Sequence, residues 1–131
     1  MSTDKINTIS AMYAAFGQGD VDGVLAPCTD DVQWTTHLDP IVPWAGKYSG
    51  KTDVRRFFAA IFESVDVQAF EPLEWVSEGD TVVSIGRFAC RARSTGKSDD
   101  SRWVFIWKFR GDAVSSYEQF HDHSIADIFR A

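Results

Sequence analysis

Residues 101–122 read Ser101-Arg102-Trp103-Val104-Phe105-Ile106-Trp107-Lys108-Phe109-Arg110-Gly111-Asp112-Ala113-Val114-Ser115-Ser116-Tyr117-Glu118-Gln119-Phe120-His121-Asp122. Two runs rich in aromatic and β-branched residues flank Gly111-Asp112, which predicts an antiparallel hairpin. With a two-residue turn there, Arg110 faces Ala113, Phe105 faces Glu118 and Trp103 faces Phe120. Opposed residues share a sheet face. Trp103, Phe105, Trp107 and Phe109 then stand with Val114, Ser116, Glu118, Phe120 and, at the rim, Asp122, while Val104, Ile106, Lys108, Tyr117, Gln119 and His121 take the other face. A slip of one residue would exchange the faces of the last strand.

Upstream, Val67 to Ser77 and Thr81 to Arg93 also have strand character, with turns at Glu78-Gly79-Asp80 and across Ser94 to Asp100. The four strands form a meander. The first half differs. Ile6, Ile9, Met12, Tyr13 and Phe16 share one helical face, and Gly17 and Gly19 end that helix. Asp20 to Leu25 predicts a short second helix with Asp20 as its N-cap. Asp31 to His37 is a strand, Leu38 to Gly50 an irregular loop holding Trp44, and a third helix runs from Thr52 or Asp53 to Ser64 with Val54, Phe57, Phe58, Ile61 and Phe62 as its stripe. The fold class is α+β, in one domain spanning residues 1–131, with helices on one face of a curved sheet and a short C-terminal helix.

Composition narrows the function. Ten Phe, five Trp and three Tyr in 131 residues can build a core and still line a cavity. A net charge of −6, with no basic stripe, argues against nucleic acid and against an anionic membrane. No apolar run approaches a membrane span, and the N-terminal residues lack a signal-peptide core, so the expected location is cytoplasmic. Cys28 and Cys90 lie far apart and read as small apolar fillers. His37, His121, Asp122 and His123 make too weak a pattern for a metal site, so no metal is expected. No phosphate loop, dinucleotide fingerprint or nucleophile elbow is present, and no cofactor is expected.

The segments Tyr13-Ala14-Ala15-Phe16-Gly17-Gln18-Gly19-Asp20-Val21-Asp22-Gly23-Val24 and Thr29-Asp30-Asp31-Val32 carry a family likeness. So do Pro43-Trp44-Ala45-Gly46-Lys47-Tyr48-Ser49-Gly50 and the closing Phe120-His121-Asp122. Together they resemble the cone-shaped fold of nuclear transport factor two, shared with ketosteroid isomerases, scytalone dehydratase, limonene-epoxide hydrolase and SnoaL-like polyketide cyclases. The likeness implies a curved antiparallel or mixed sheet wrapped around the three helices, and a homodimer. The position of the isomerases' oxyanion tyrosine falls on Met12, beside Tyr13, and that of their base on Thr36, beside His37. The last-strand acid of the cyclases falls on Asp122.

The resemblance implies a small hydrophobic or cyclic ligand and an isomerase, cyclase or hydratase working by proton transfer. Asp122 is the expected acid/base, with His37 or Tyr13 as polar partner; alternatively Asp122 or Ser124 caps the last helix. Trp34, Trp44, Phe58, Trp103, Phe105 and Phe120 are the expected walls, Tyr13 and Tyr48 hydroxyl donors, and His121 a lesser polar contact. The competing expectation is a non-catalytic ligand binder or dimeric interaction module whose cone is filled by its own aromatics.

Overall fold

The computed structural model describes residues 2–131. Helices α1 (Ser2–Gly17) and α2 (Val21–Leu25) lead into β1 (Cys28–His37) and β2 (Lys47–Ser49), followed by helix α3 (Lys51–Ser64). Strands β3 (Val65–Glu78), β4 (Thr81–Ala92), β5 (Ser98–Arg110) and β6 (Ala113–His121) complete the sheet, and α4 (Ser124–Asp127) follows. The six strands run in the order β2-β1-β6-β5-β4-β3. β1 lies parallel to β6 and every other pair is antiparallel, so the α+β sheet is mixed and unclosed. β2 departs from the expected loop: three residues of that segment pair with β1.

Local chemistry explains the elements. Asp20 Oδ1 accepts a hydrogen bond from the Gly23 backbone N–H at 2.9 Å, which starts α2 as the spacing predicts. Ile9, Met12 and Tyr13 of α1 and Val54, Phe57, Phe58 and Ile61 of α3 are buried in the same core as Trp34, Trp103 and Trp107. Cys28 and Cys90 are buried free thiols, and burial pushes them up to about 11 and about 12. They are packing groups, as expected. Among the described residues no helix is long and apolar enough to cross a membrane.

Bulges bend the sheet. Register shifts occur in β3 between Val67 and Ala69 and between Pro72 and Glu74, so Gln68 and Leu73 are the extra residues. Pro72 is tolerated because β3 is an edge strand. A third shift decides the site. Arg110 pairs with Ala113 and Phe109 with Val114, as the hairpin predicts, but Lys108 then pairs with Ser116. Ser115 is the extra residue, and beyond it every side chain of β6 changes face.

This corrects the expected pairing. Trp103 lies opposite His121, Phe105 opposite Gln119 and Trp107 opposite Tyr117, so these side chains share the inner face. Glu118 and Phe120 stand outside with Ile106 and Val104, and the Asp122 backbone N–H donates to the Arg102 carbonyl at the strand end.

Gly86, opposite Trp103, is an inner-face residue with no room for a side chain. A Cβ there would collide with the Trp103 indole and with the Glu71 carbonyl oxygen. The Gly86→Ala protein is expected to be destabilised by about 2 kcal/mol through overpacking, measured by urea denaturation. An unchanged midpoint would show that Trp103 is not wedged against β4.

Candidate functional site

The inner face of the sheet and the stripes of α1 and α3 enclose a cavity of about 60 Å³. Met12, Tyr13 and Phe16 line it from α1, and Phe57, Phe58 and Ile61 from α3. Trp34, Phe70, Phe88, Trp103, Phe105, Trp107 and Tyr117 line it from the sheet, with Trp44 from the loop before β2. The rings interlock: Trp103 stacks on Phe105 at 3.9 Å between centroids, and Trp34 on Tyr117 at 4.2 Å. Trp44 packs edge-on against Phe129, and Arg130 is held to Asp39 at 2.9 Å, so the C-terminal segment braces this end.

Polar groups punctuate the wall. Trp107 Nε1 donates to Tyr13 Oη at 2.9 Å. Burial pushes the Tyr13 hydroxyl well above its ordinary range, against the opposing influence of Ser84 and Trp107, so it stays protonated and a donor. His121 and Gln119 line the same cavity. His121 Nε2 lies 2.9 Å from Ser101 Oγ, and that hydroxyl donates to Asp99 Oδ2 at 2.5 Å. Burial holds the His121 imidazole down to about 4, although Asp99 and Asp122 oppose that shift. The ring is therefore neutral at physiological pH.

Several buried polar atoms have no hydrogen-bond partner. Trp34 Nε1, Trp103 Nε1, Gln119 Oε1 and His121 Nδ1 belong to cavity-lining residues. Ser84 Oγ is buried beside the Tyr13 phenol and stands apart from these, because the two hydroxyls bear on one another. Each unpaired group costs about 1–3 kcal/mol of desolvation. Two indole donors, an amide acceptor and an imidazole nitrogen thus lie unpaired on residues that line one largely apolar chamber.

The expected site residues divide. Tyr13, Trp34, Trp44, Phe58, Trp103, Phe105 and His121 come together at the cavity. Tyr48 is buried but donates to the Trp44 carbonyl at 3.2 Å, away from the lining. Phe120 is 38% exposed on the outer face, where His37 stacks on it at 4.5 Å. His37 Nε2 is 2.6 Å from Glu118 Oε2 and does not meet the cavity.

Asp122 is exposed, and its Oδ1 accepts from the Ser124 backbone N–H at 2.9 Å. The Ser124 backbone and then its side chain hold the Asp122 carboxyl below the ordinary range, opposite to the rise an apolar cavity would cause. Thr36 is inward and buried but exchanges hydrogen bonds with Gly46. His37 and His121 lie on opposite faces, and among the described residues no group of three or more His, Cys, Asp or Glu could hold a metal.

Gln119, Tyr117 and Ser101 are the residues whose place the sequence reading misses or leaves on the wrong side, whereas Trp107 stands on the inner face with Trp103 and Phe105 as expected. Gln119 had a signal: a lone amide on a strand between Tyr117 and Phe120. Asp99, expected in a turn, is the second residue of β5.

Residues 9–117 match the SnoaL-like domain. The chain belongs to the SnoaL-like family. An NTF2-like protein from Burkholderia thailandensis is 27% identical over 97% of this chain and 98% of that one, with a TM-score of 0.87. One from Burkholderia xenovorans is 26% identical, over 97% and 95%, with a TM-score of 0.86. TerC, crystallised with polyporic acid, has the same fold at 22% identity, over 98% and 99%, with a TM-score of 0.84. No curated protein matches the sequence.

The histidine makes the site measurable. Its proton affinity is lower in the fold than its ordinary 6.5, so the unfolded chain binds more protons between that value and about 4. His121 therefore lowers stability progressively as pH falls through this window, and the loss is complete below it. An NMR titration of the His121 ring is expected to show a midpoint near 4, and His121→Phe to flatten stability across the same window. A midpoint at the ordinary value would place the ring in water.

Proposed function

We propose that this SnoaL-like chain binds a compact planar or cyclic molecule in its aromatic cavity and moves a proton on it without a cofactor, as an isomerase, cyclase or hydratase does. The observation carrying this reading is the set of unpaired polar atoms on Trp34, Trp103, Gln119 and His121 within an otherwise apolar wall. A ligand with matching polar edges would satisfy them, which is how a pocket fixes orientation. TerC, of the same fold, was crystallised with polyporic acid.

Roles follow from proton affinity. Neutral His121 is the acceptor for the ligand's proton and returns it at another atom, and because burial holds its proton affinity down it does so only where negative charge on the ligand faces the ring. Tyr13, kept protonated by burial and already accepting from Trp107, donates to a ligand oxygen where negative charge develops. The proton-transfer role expected of Asp122 passes to His121, because Asp122 sits outside the lining and starts α4.

One observation favours the competing reading, a binder or module that does no chemistry. The cavity of about 60 Å³ is small against the several hundred typical of ligand pockets. At that volume even a single-ring ligand must displace wall side chains. Phe16 and Phe70 are suited to that, since both also line an open groove of about 460 Å³ beside Val65 and Arg93.

Titration of tryptophan fluorescence with planar hydroxylated aromatic carbonyl compounds tests binding. Saturable quenching is expected, with His121→Phe and Gln119→Leu each weakening it about tenfold. Chemistry is a separate readout: turnover of a bound compound that His121→Phe abolishes supports the enzyme, and binding without turnover supports the module. If no compound quenches saturably, the small-molecule reading fails.

The outer face supports a homodimer, which we propose as the working state. Val76, Val83 and Ile106 form one cross-strand row and Ile85, Val104 and Phe120 the next. Val76 is 60% exposed. Ion pairs of both signs lie on the same face (Arg102 with Glu74, Arg87 with Glu71 and Asp100), which suits contact with a second copy. Tyr117, expected on this face, points inward because of the Ser115 bulge. Sedimentation is expected to give a dimer at micromolar concentration and a folded monomer for Ile106→Lys. A monomeric parent protein would rule the dimer out.

A further inference from the structure

Ser101 has one hydroxyl proton and two neighbours that compete for it. Asp99 carboxylate can only accept, and it lies 2.5 Å from Ser101 Oγ. The proton therefore points to Asp99, and the Ser101 oxygen is left to accept. His121 Nε2, 2.9 Å away, must be the donor in that contact. A neutral imidazole carries one proton, so Nδ1 holds a bare lone pair. That atom is buried and unpaired, on a residue that lines the cavity.

Neighbouring groups reinforce the assignment. The second unpaired acceptor, Gln119 Oε1, belongs to a side chain only 4% exposed. No Lys or Arg is among the lining residues, and the charged groups that bear on His121 are the carboxylates Asp99 and Asp122. An anionic ligand would meet no cation in this chamber. A neutral ligand whose hydroxyl donates to Nδ1, and whose oxygens accept from Trp34 and Trp103 Nε1, meets three of these four unpaired groups, and a second donor on the ligand would meet Gln119 Oε1.

We propose that Asp99 and Ser101 are positioning residues that lock His121 with its proton on Nε2, so that the cavity selects neutral ring compounds carrying a phenol- or enol-type hydroxyl. This rests on the small-molecule reading above. It adds the polarity of the polar edge, which hydrophobicity alone would leave open.

Long-range proton–nitrogen NMR of the imidazole at neutral pH reads the tautomer without any ligand. A protonated Nε2 and a bare Nδ1 are expected. Asp99→Ala frees the Ser101 proton to turn toward Nε2 and is expected to shift His121 to the other tautomer; Asp99→Glu is expected to restore the original one. A protonated Nδ1 in the parent protein, or no change in Asp99→Ala, would overturn the relay. Phenol and toluene, nearly equal in size, then probe selectivity: phenol is expected to bind about tenfold tighter in the parent protein and to lose most of that margin in Asp99→Ala. Toluene binding as tightly as phenol would sink the selectivity while leaving the small-molecule reading intact. If neither binds, both fall.

Discussion

One inserted residue governs the chemistry of this fold. Ser115 interrupts the ladder between β5 and β6, and side chains alternate across a strand, so the insertion reverses the face of every residue after it. Without it, Glu118, Phe120 and Asp122 would look inward. With it, Tyr117 and Gln119 are buried and His121 lines the cavity, while Glu118 pairs with His37 on the outside. A carboxylate-lined chamber becomes one lined by an amide and a neutral imidazole.

The chamber combines rigid packing with unmet polarity. Its aromatic walls are stacked tightly enough that Gly86 has to be glycine for Trp103 to lie on the sheet. Packing of that kind holds side chains in place even where their polar atoms are unpaired. Trp107 Nε1 is satisfied by Tyr13 Oη, whereas Trp34, Trp103, Gln119 and His121 each keep an atom in reserve. The contrast separates paired from unpaired indoles within a single cluster. It also places the Asp99–Ser101 pair at the sheet end, where it meets one edge of His121 and leaves the other in the wall.

Much of this was legible in the residues. Helical spacing in α1 and α3, the Asp20 cap and the four-strand meander follow from periodicity and turn chemistry, and the aromatic walls from the excess of Trp and Phe. Three things were not legible. β2 is three residues long and paired only by tertiary context. The Ser115 bulge has no glycine or proline to announce it, and it alone moved Asp122 out and His121 in. Tyr48 sits in a loop whose carbonyls capture its hydroxyl, a contact set by folding and not by spacing. The walls of the site could be read, then, but not which polar groups face them.

The account turns on whether the unpaired atoms are the ones a ligand uses. The indole N–H resonances report this directly, because Trp107 Nε1 is bonded to Tyr13 while Trp34 and Trp103 Nε1 are not. On saturation with a bound hydroxylated aromatic compound, the Trp34 and Trp103 resonances should move to the frequencies of hydrogen-bonded indoles, and Trp107 should keep its hydrogen-bonded position. Binding that leaves Trp34 and Trp103 unchanged would contradict the account, because the ligand would then be held by surfaces other than this cavity.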